Sequence, residues 1–101
     1  MFSRVSSEMA ALHAAGIPFR LVPGVTAASA ASADACAPLT SGADFTAVVT
    51  VSAHKPQNVR WEAYGPDAVG TLVVYMAGRS VAAVAAGCIA AQWPEATPVC
   101  P

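Results

Sequence analysis

Ala14-Ala15-Gly16-Ile17-Pro18-Phe19-Arg20-Leu21-Val22-Pro23-Gly24-Val25-Thr26-Ala27 is the stretch on which the fold of this 101-residue chain turns. Upstream of it, Ser6 or Ser7 can cap a helix through Glu8, Met9, Leu12 and His13. Gly16 supplies the stop for that helix, and Pro18 lies just beyond. Phe19-Arg20-Leu21-Val22 then reads as a brief strand closed by the Pro23-Gly24 turn. Thr26 is placed to cap a second helix over residues 27 to about 37. The unit is helix, strand, tight turn, helix. Its second helix is almost wholly Ala and Ser, which lets a neighbouring backbone approach closely but does little to fill a core.

Outward from this unit, Pro38 and the Ser41-Gly42 pair punctuate the chain, and a domain boundary is placed there, dividing residues 1–40 from residues 41–101. Residues 45–51, rich in Val and Thr, have strand character. Residues 54–65 are polar and hold the Lys55-Pro56 turn. Thr71-Leu72-Val73-Val74-Tyr75-Met76 is the strongest strand and is expected to be buried on both faces. Ala77-Gly78 turns the chain, and Ser80 caps a helix through Val81, Val84, Cys88 and Ile89 that Trp93-Pro94 ends. Thr97-Pro98-Val99 opens a further strand cut almost as it starts, so the sequence reads as truncated there. Strands alternating with helices predict an α/β fold.

Composition narrows the function classes. The chain is 55% hydrophobic and 11% charged with net charge −1, against roughly 25% charged residues in an ordinary soluble domain. A folded monomer would carry few charges on its surface, so apolar surface is expected to face a partner. High hydrophobicity argues against disorder, and five Lys and Arg against six Asp and Glu argue against a nucleic-acid partner. The longest apolar run, residues 81–91, is shorter than the roughly 18 to 20 residues a bilayer span needs, so no membrane association is expected. The N-terminus lacks a continuous secretory core, and Ala28-Ser29-Ala30 reads as helix instead of a cleavage site. Cys36, Cys88 and Cys100 have no C-x-x-C spacing and fit a reduced, cytoplasmic protein, with Cys36 and Cys88 packing as small apolar residues in helices. His13 and His54 lie far apart with no third ligand at a recognised spacing, so no metal site is expected.

Phe2-Ser3-Arg4 with Glu8, the unaltered Ala14-to-Pro18 and Val22-to-Ala27 stretches, and Pro38-Leu39-Thr40 occur in a set order. Ala53-His54, Trp61-Glu62-Ala63, Tyr75-Met76-Ala77-Gly78 and Thr97-Pro98-Val99 continue it. In that order and at that spacing the series resembles the tetrapyrrole methylases, most closely those that C-methylate uroporphyrinogen III. The resemblance covers nearly the whole chain. It implies a fragment of a two-domain α/β fold, with residues 1–40 from the end of the first domain and residues 41–101 from the start of the second. It also implies a cytoplasmic, homodimeric parent enzyme that moves a methyl group from S-adenosylmethionine to a carboxylate-rich macrocycle held between the domains. The product expected is uroporphyrinogen III C-methylated towards precorrin-2, the isolated chain being inactive. Another precorrin C-methyltransferase, or a non-catalytic interaction fragment, are the alternatives.

Site residues follow from the same resemblance. Local sequence alone makes Thr26 a helix cap, whereas the family carries cofactor binding at Thr26 and Ala27, where free N–H groups and small side chains admit a ligand. Met76 would be core on its own, and the family makes it a cofactor residue at the carboxyl end of a strand. Arg4 is the candidate for a substrate carboxylate, which a guanidinium can grip through two parallel hydrogen bonds; a solvated surface arginine is the plain alternative. No catalytic residue is assigned. The chain departs from the family pattern at Ser3, Val5 and Ser6, where glycines are common, at Ser41-Gly42 in place of His-Arg, and at Arg60 in place of aspartate. The family's glycine-rich G-D-P loop would fall upstream of Met1.

Overall fold

β-Branched residues set the centre of the structure. Two Val- and Thr-rich segments, β1 (Val48–Ser52) and β2 (Thr71–Tyr75), pair in parallel, with Val48 opposite Thr71 and Ser52 opposite Tyr75. The computed structural model describes residues 5–100. Its helices are α1 (Val5–Ala14), α2 (Ala27–Asp34) and α3 (Val81–Ala90), and two 3-10 turns, Pro56–Asn58 and Trp61–Tyr64, form the crossover between the strands. This is a small α/β arrangement, as the alternation of elements predicts. Among the described residues no helix is long and apolar enough to cross a membrane.

The crossover is held against α3 by two indoles. Trp61 lies against Gly87 so closely that a Cβ there would stand 2.6 Å from its ring atoms. Its Nε1 donates to the Pro56 carbonyl at 3.1 Å, and Trp93 Nε1, just past α3, donates to the Tyr64 carbonyl at 2.7 Å. The buried hydrophobic residues among those described are Val51, Ala53, Val69 and Ala91. The accessible surface is 7568 Å², against about 5,300 Å² for a compact monomer of this size. The radius of gyration is 16.3 Å, where about 13 Å is usual for such a length.

All three helices end in the same way. Past α1, Gly16 takes φ 65° while its N–H donates to the His13 carbonyl and the Ile17 N–H to that of Leu12. Past α2, Cys36 (φ 51°) donates to Ala33 and Ala37 to Ser32; past α3, Gln92 (φ 70°) donates to Ile89 and Trp93 to Cys88. Each is a left-handed closure that satisfies two orphan carbonyls. Only the first uses glycine, the residue free of the Cβ clash in this conformation.

Several expectations are corrected. Residues 19–22 form no strand: among the described residues none lies alongside to pair with them, and Phe19, Leu21 and Val22 are exposed. The same holds at residues 97–99, where Thr97 bonds back to the Pro94 carbonyl and Val99 is 83% exposed. The first strand starts at Val48 because Ser41 and Phe45 first close an antiparallel bridge around a turn. Half-buried throughout, β2 lies in a two-stranded sheet with a single neighbour to cover its edge. Cys36 does not pack within a helix, because it occupies the exposed closure position after α2. Cys88 is half-buried, and that burial pushes its thiol above the usual cysteine range.

Two substitutions test this packing. Gly87→Ala improves helix propensity by about 1 kcal/mol, but the clash with Trp61 is expected to outweigh the gain and leave a net loss of about 1–2 kcal/mol. Gln92→Gly relieves the left-handed strain and is expected to stabilise by about 1 kcal/mol. Denaturant unfolding of both variants reads the signs, and a more stable Gly87→Ala would contradict the placement of Trp61.

Candidate functional site

Parallel pairing puts the carboxyl ends of β1 and β2 on one edge, the place where open α/β sheets bind ligands. The ladder runs one step past Ser52, with the Ala53 N–H donating to the Tyr75 carbonyl at 2.8 Å. Beyond Tyr75 the chain enters Met76 at φ 60°, a left-handed conformation uncommon for a side chain of this size. Such strain costs on the order of 1–3 kcal/mol and clusters at ligand-binding positions. The Ser52 hydroxyl donates to the Met76 sulfur at 3.7 Å. Ser80, ahead of α3, holds the loop in place: its N–H donates to the Ala77 carbonyl at 2.7 Å, and its hydroxyl lies 3.4 Å from the Ala53 carbonyl. The N-terminus of α3 is thereby tied to the strand ends.

The opposite side of the edge is supplied by α2. Thr26 caps it with extended backbone, φ −80° and ψ 154°, and its hydroxyl accepts the Ser29 N–H at 3.4 Å. The Thr26 carbonyl accepts the Ala30 N–H, while the Ala28 N–H donates across the fold to the Tyr75 phenol at 3.2 Å. The residue after Ala27 therefore touches the residue before Met76. That bond brings the start of α2 to the carboxyl end of β2, 47 positions away in sequence. Arg4, together with Phe2 and Ser3, lies outside the described residues.

A groove of about 300 Å³ continues from Ser52 along β1 and is lined by Thr50, Asn58, Arg60 and Tyr64 among others. Arg60 meets Glu62 at 3.5 Å with both side chains largely exposed, so that pair contributes little to stability and leaves the guanidinium accessible. Between residues 46 and 61, and again between 68 and 94, the chain carries no Asp or Glu; its cations there are Lys55, Arg60 and Arg79, with His54 beside them. That charge balance and the helix N-termini favour anionic ligands at this edge.

Reading the sequence alone missed Ser52 and Tyr75, and it made Ser80 a side-chain cap of α3, whereas the Ser80 hydroxyl makes no cap bond and turns to the Ala53 and Ala77 carbonyls. A phenol inside a run of Thr, Leu and Val was the available signal for Tyr75, because a part-buried tyrosine hydroxyl usually finds a partner.

The family model of the Tetrapyrrole (Corrin/Porphyrin) Methylases matches residues 1–100. Siroheme synthase 1 of Cronobacter sakazakii is 39% identical over 101 residues, covering 98% of this chain and 21% of that protein. For siroheme synthase 1 of Klebsiella pneumoniae the identity is 38% with the same coverage, and for the siroheme synthase of Tolumonas auensis it is 40% over 75% of this chain and 17% of that protein. The chain thus spans about a fifth of the length of the curated relatives it matches. No solved structure matches it.

Ala27→Leu tests the site directly. Leucine is nearly as good a helix former as alanine, so melting should hold, whereas a bulky side chain beside the Ala27 N–H should lower affinity for S-adenosylhomocysteine at least tenfold in calorimetric titration. Unchanged affinity would remove Thr26 and Ala27 from the site. Met76→Leu conserves volume and should cost less than about 1.5 kcal/mol in stability, while still weakening the ligand.

Proposed function

This chain belongs to the tetrapyrrole (corrin/porphyrin) methylases, and on that premise we propose that the protein it is part of methylates a ring carbon of uroporphyrinogen III, towards precorrin-2, with S-adenosylmethionine as the donor. The observation that supports the reading is the Ala28–Tyr75 hydrogen bond, which joins the residue after Ala27 to the residue before Met76. Relatives named siroheme synthases support the choice of tetrapyrrole.

The residues present suit the cofactor. Small side chains at Ala27, Ala28 and Ser29 leave the first turn of α2 open to close approach, and the Ala27 N–H has no partner among the described residues. Hydroxyls at Thr26 and Ser52 and the Met76 thioether add polar and polarisable contacts. Thr26, Ala27 and Met76 would hold S-adenosylmethionine, which when bound supplies a methyl group already activated by a positively charged sulfur.

What this chain adds is alignment and charge. Methyl transfer needs the attacking carbon in line at roughly 3–3.5 Å, and a small misplacement can cost about 100-fold in rate. The β1–β2 ladder and the Ser80 bonds would steady the Met76 side of such a site, and the Thr26 cap would order the first turn of α2. Lys55, Arg60 and Arg79 raise the local concentration of a polycarboxylate macrocycle. Cytoplasmic location and a homodimeric parent belong to the same proposal, on the strength of the family resemblance.

A second reading concerns the 101-residue chain by itself: it is a non-catalytic piece that folds only against a complementary surface. The roughly 2,300 Å² of accessible surface beyond that of a compact monomer favours it, being the size of an obligate interface.

The protein at its full natural length should transfer label from S-adenosylmethionine to uroporphyrinogen III above a no-protein control, with KM for the macrocycle rising with salt. Transfer to a later precorrin but not to uroporphyrinogen III would overturn the substrate. The isolated chain should show no turnover, and a cooperative melt with protected amides through β2 would contradict its need for a partner.

A further inference from the structure

Tyr75 closes β2 with a phenol to which the methyl-transfer proposal assigns no contact with cofactor or substrate. Its backbone is fixed by the ladder, in register with Ser52 and accepting the Ala53 N–H. Its side chain reaches the other wall, where the phenol oxygen accepts the Ala28 N–H at 3.2 Å across 47 positions of sequence. The helix it reaches has no buried residue, so apolar packing does little to locate α2. The Thr26 cap is local to α2 and cannot set its distance from the sheet. The directional Ala28–Tyr75 hydrogen bond therefore ties α2 to β2. It does so one residue from each half of the site, since Ala27 precedes Ala28 and Met76 follows Tyr75.

We propose that Tyr75 is a positioning residue: through its hydrogen bond to the Ala28 N–H it sets the separation between the Thr26-Ala27 wall and the Met76 wall, and so the width of the cofactor site. The inference rests on the reading of Thr26, Ala27 and Met76 as that site. It places control of cofactor affinity in a side chain whose role is to hold the two walls apart at the right spacing. A tyrosine suits the task better than a longer flexible donor or acceptor, because its ring has few rotatable bonds and transmits the strand's position rigidly to the helix.

Tyr75→Phe keeps the ring and removes the acceptor. In the full-length protein the dissociation constant for S-adenosylhomocysteine should rise roughly fivefold, the order expected for one neutral hydrogen bond. KM for S-adenosylmethionine should rise with it, while KM for the tetrapyrrole stays put. Amide exchange at Ala28 should speed up while that at Val73 and Val74 within the ladder does not, which separates loss of register from general unfolding. Parent-like ligand affinity in Tyr75→Phe, or parent-like exchange at Ala28, would overturn the positioning role. Equal increases in both KM values would do the same, since they point to a merely structural tyrosine. Failure of the underlying reading looks different, because then the unsubstituted protein itself binds no S-adenosylhomocysteine.

Discussion

Parallel pairing of Val48–Ser52 with Thr71–Tyr75 is the constraint from which the arrangement follows. Antiparallel strands would have put their carboxyl ends at opposite edges; a parallel pair must put them together and must be joined by a crossover. The crossover here is built of 3-10 turns pinned by Trp61 and Trp93, and α3 leaves from the same edge that both strands reach. Ser52, Met76 and the Ser80 loop meet because of that topology, although they are distant in sequence. The Ala28–Tyr75 hydrogen bond ties α2 to the same strand end.

This arrangement is assembled on very little buried surface. With a core of Val51, Ala53, Val69 and Ala91 among the described residues, hydrophobic burial cannot be what makes the site rigid. Directed hydrogen bonds take that part: the ladder, the helix closures and the indole and phenol contacts. Meanwhile Val22 and Val25 are 75% and 84% exposed in the segment that leads into α2, which agrees with the partner surface proposed above. The low charge of the chain has the same physical meaning, since residues that cover a partner do not need to be wetted.

Some local signals in the sequence carried local structure, although Ser6 and Ser7, read as caps, fall inside α1. Gly16 marked its helix end because only glycine enters the left-handed closure freely, and Thr26 marked a helix start because its hydroxyl can take an orphan N–H. Residues 19–22 and 97–99 misled for a physical reason: strand propensity describes a residue's fit to a sheet, and a strand exists only where another backbone pairs with it. Cys36 and Gln92 gave no sign of their left-handed backbone, because the closure bonds impose it on whatever residue falls there. Thr26, Ala27 and Met76 were legible through family resemblance. The tie between α2 and β2 was not legible, because it depends on a hydrogen bond between the Ala28 amide and a phenol 47 positions away, which leaves no periodicity and no motif.

The central claim is that Thr26-Ala27 and Met76 are two walls of one cofactor site. Amide chemical shifts of the full-length protein, followed as S-adenosylhomocysteine is added, test it most directly. The account predicts that the Ala27 and Met76 amides both move and that their titration curves give a single dissociation constant. Movement of one without the other, or of neither while the protein binds the ligand elsewhere, would contradict it.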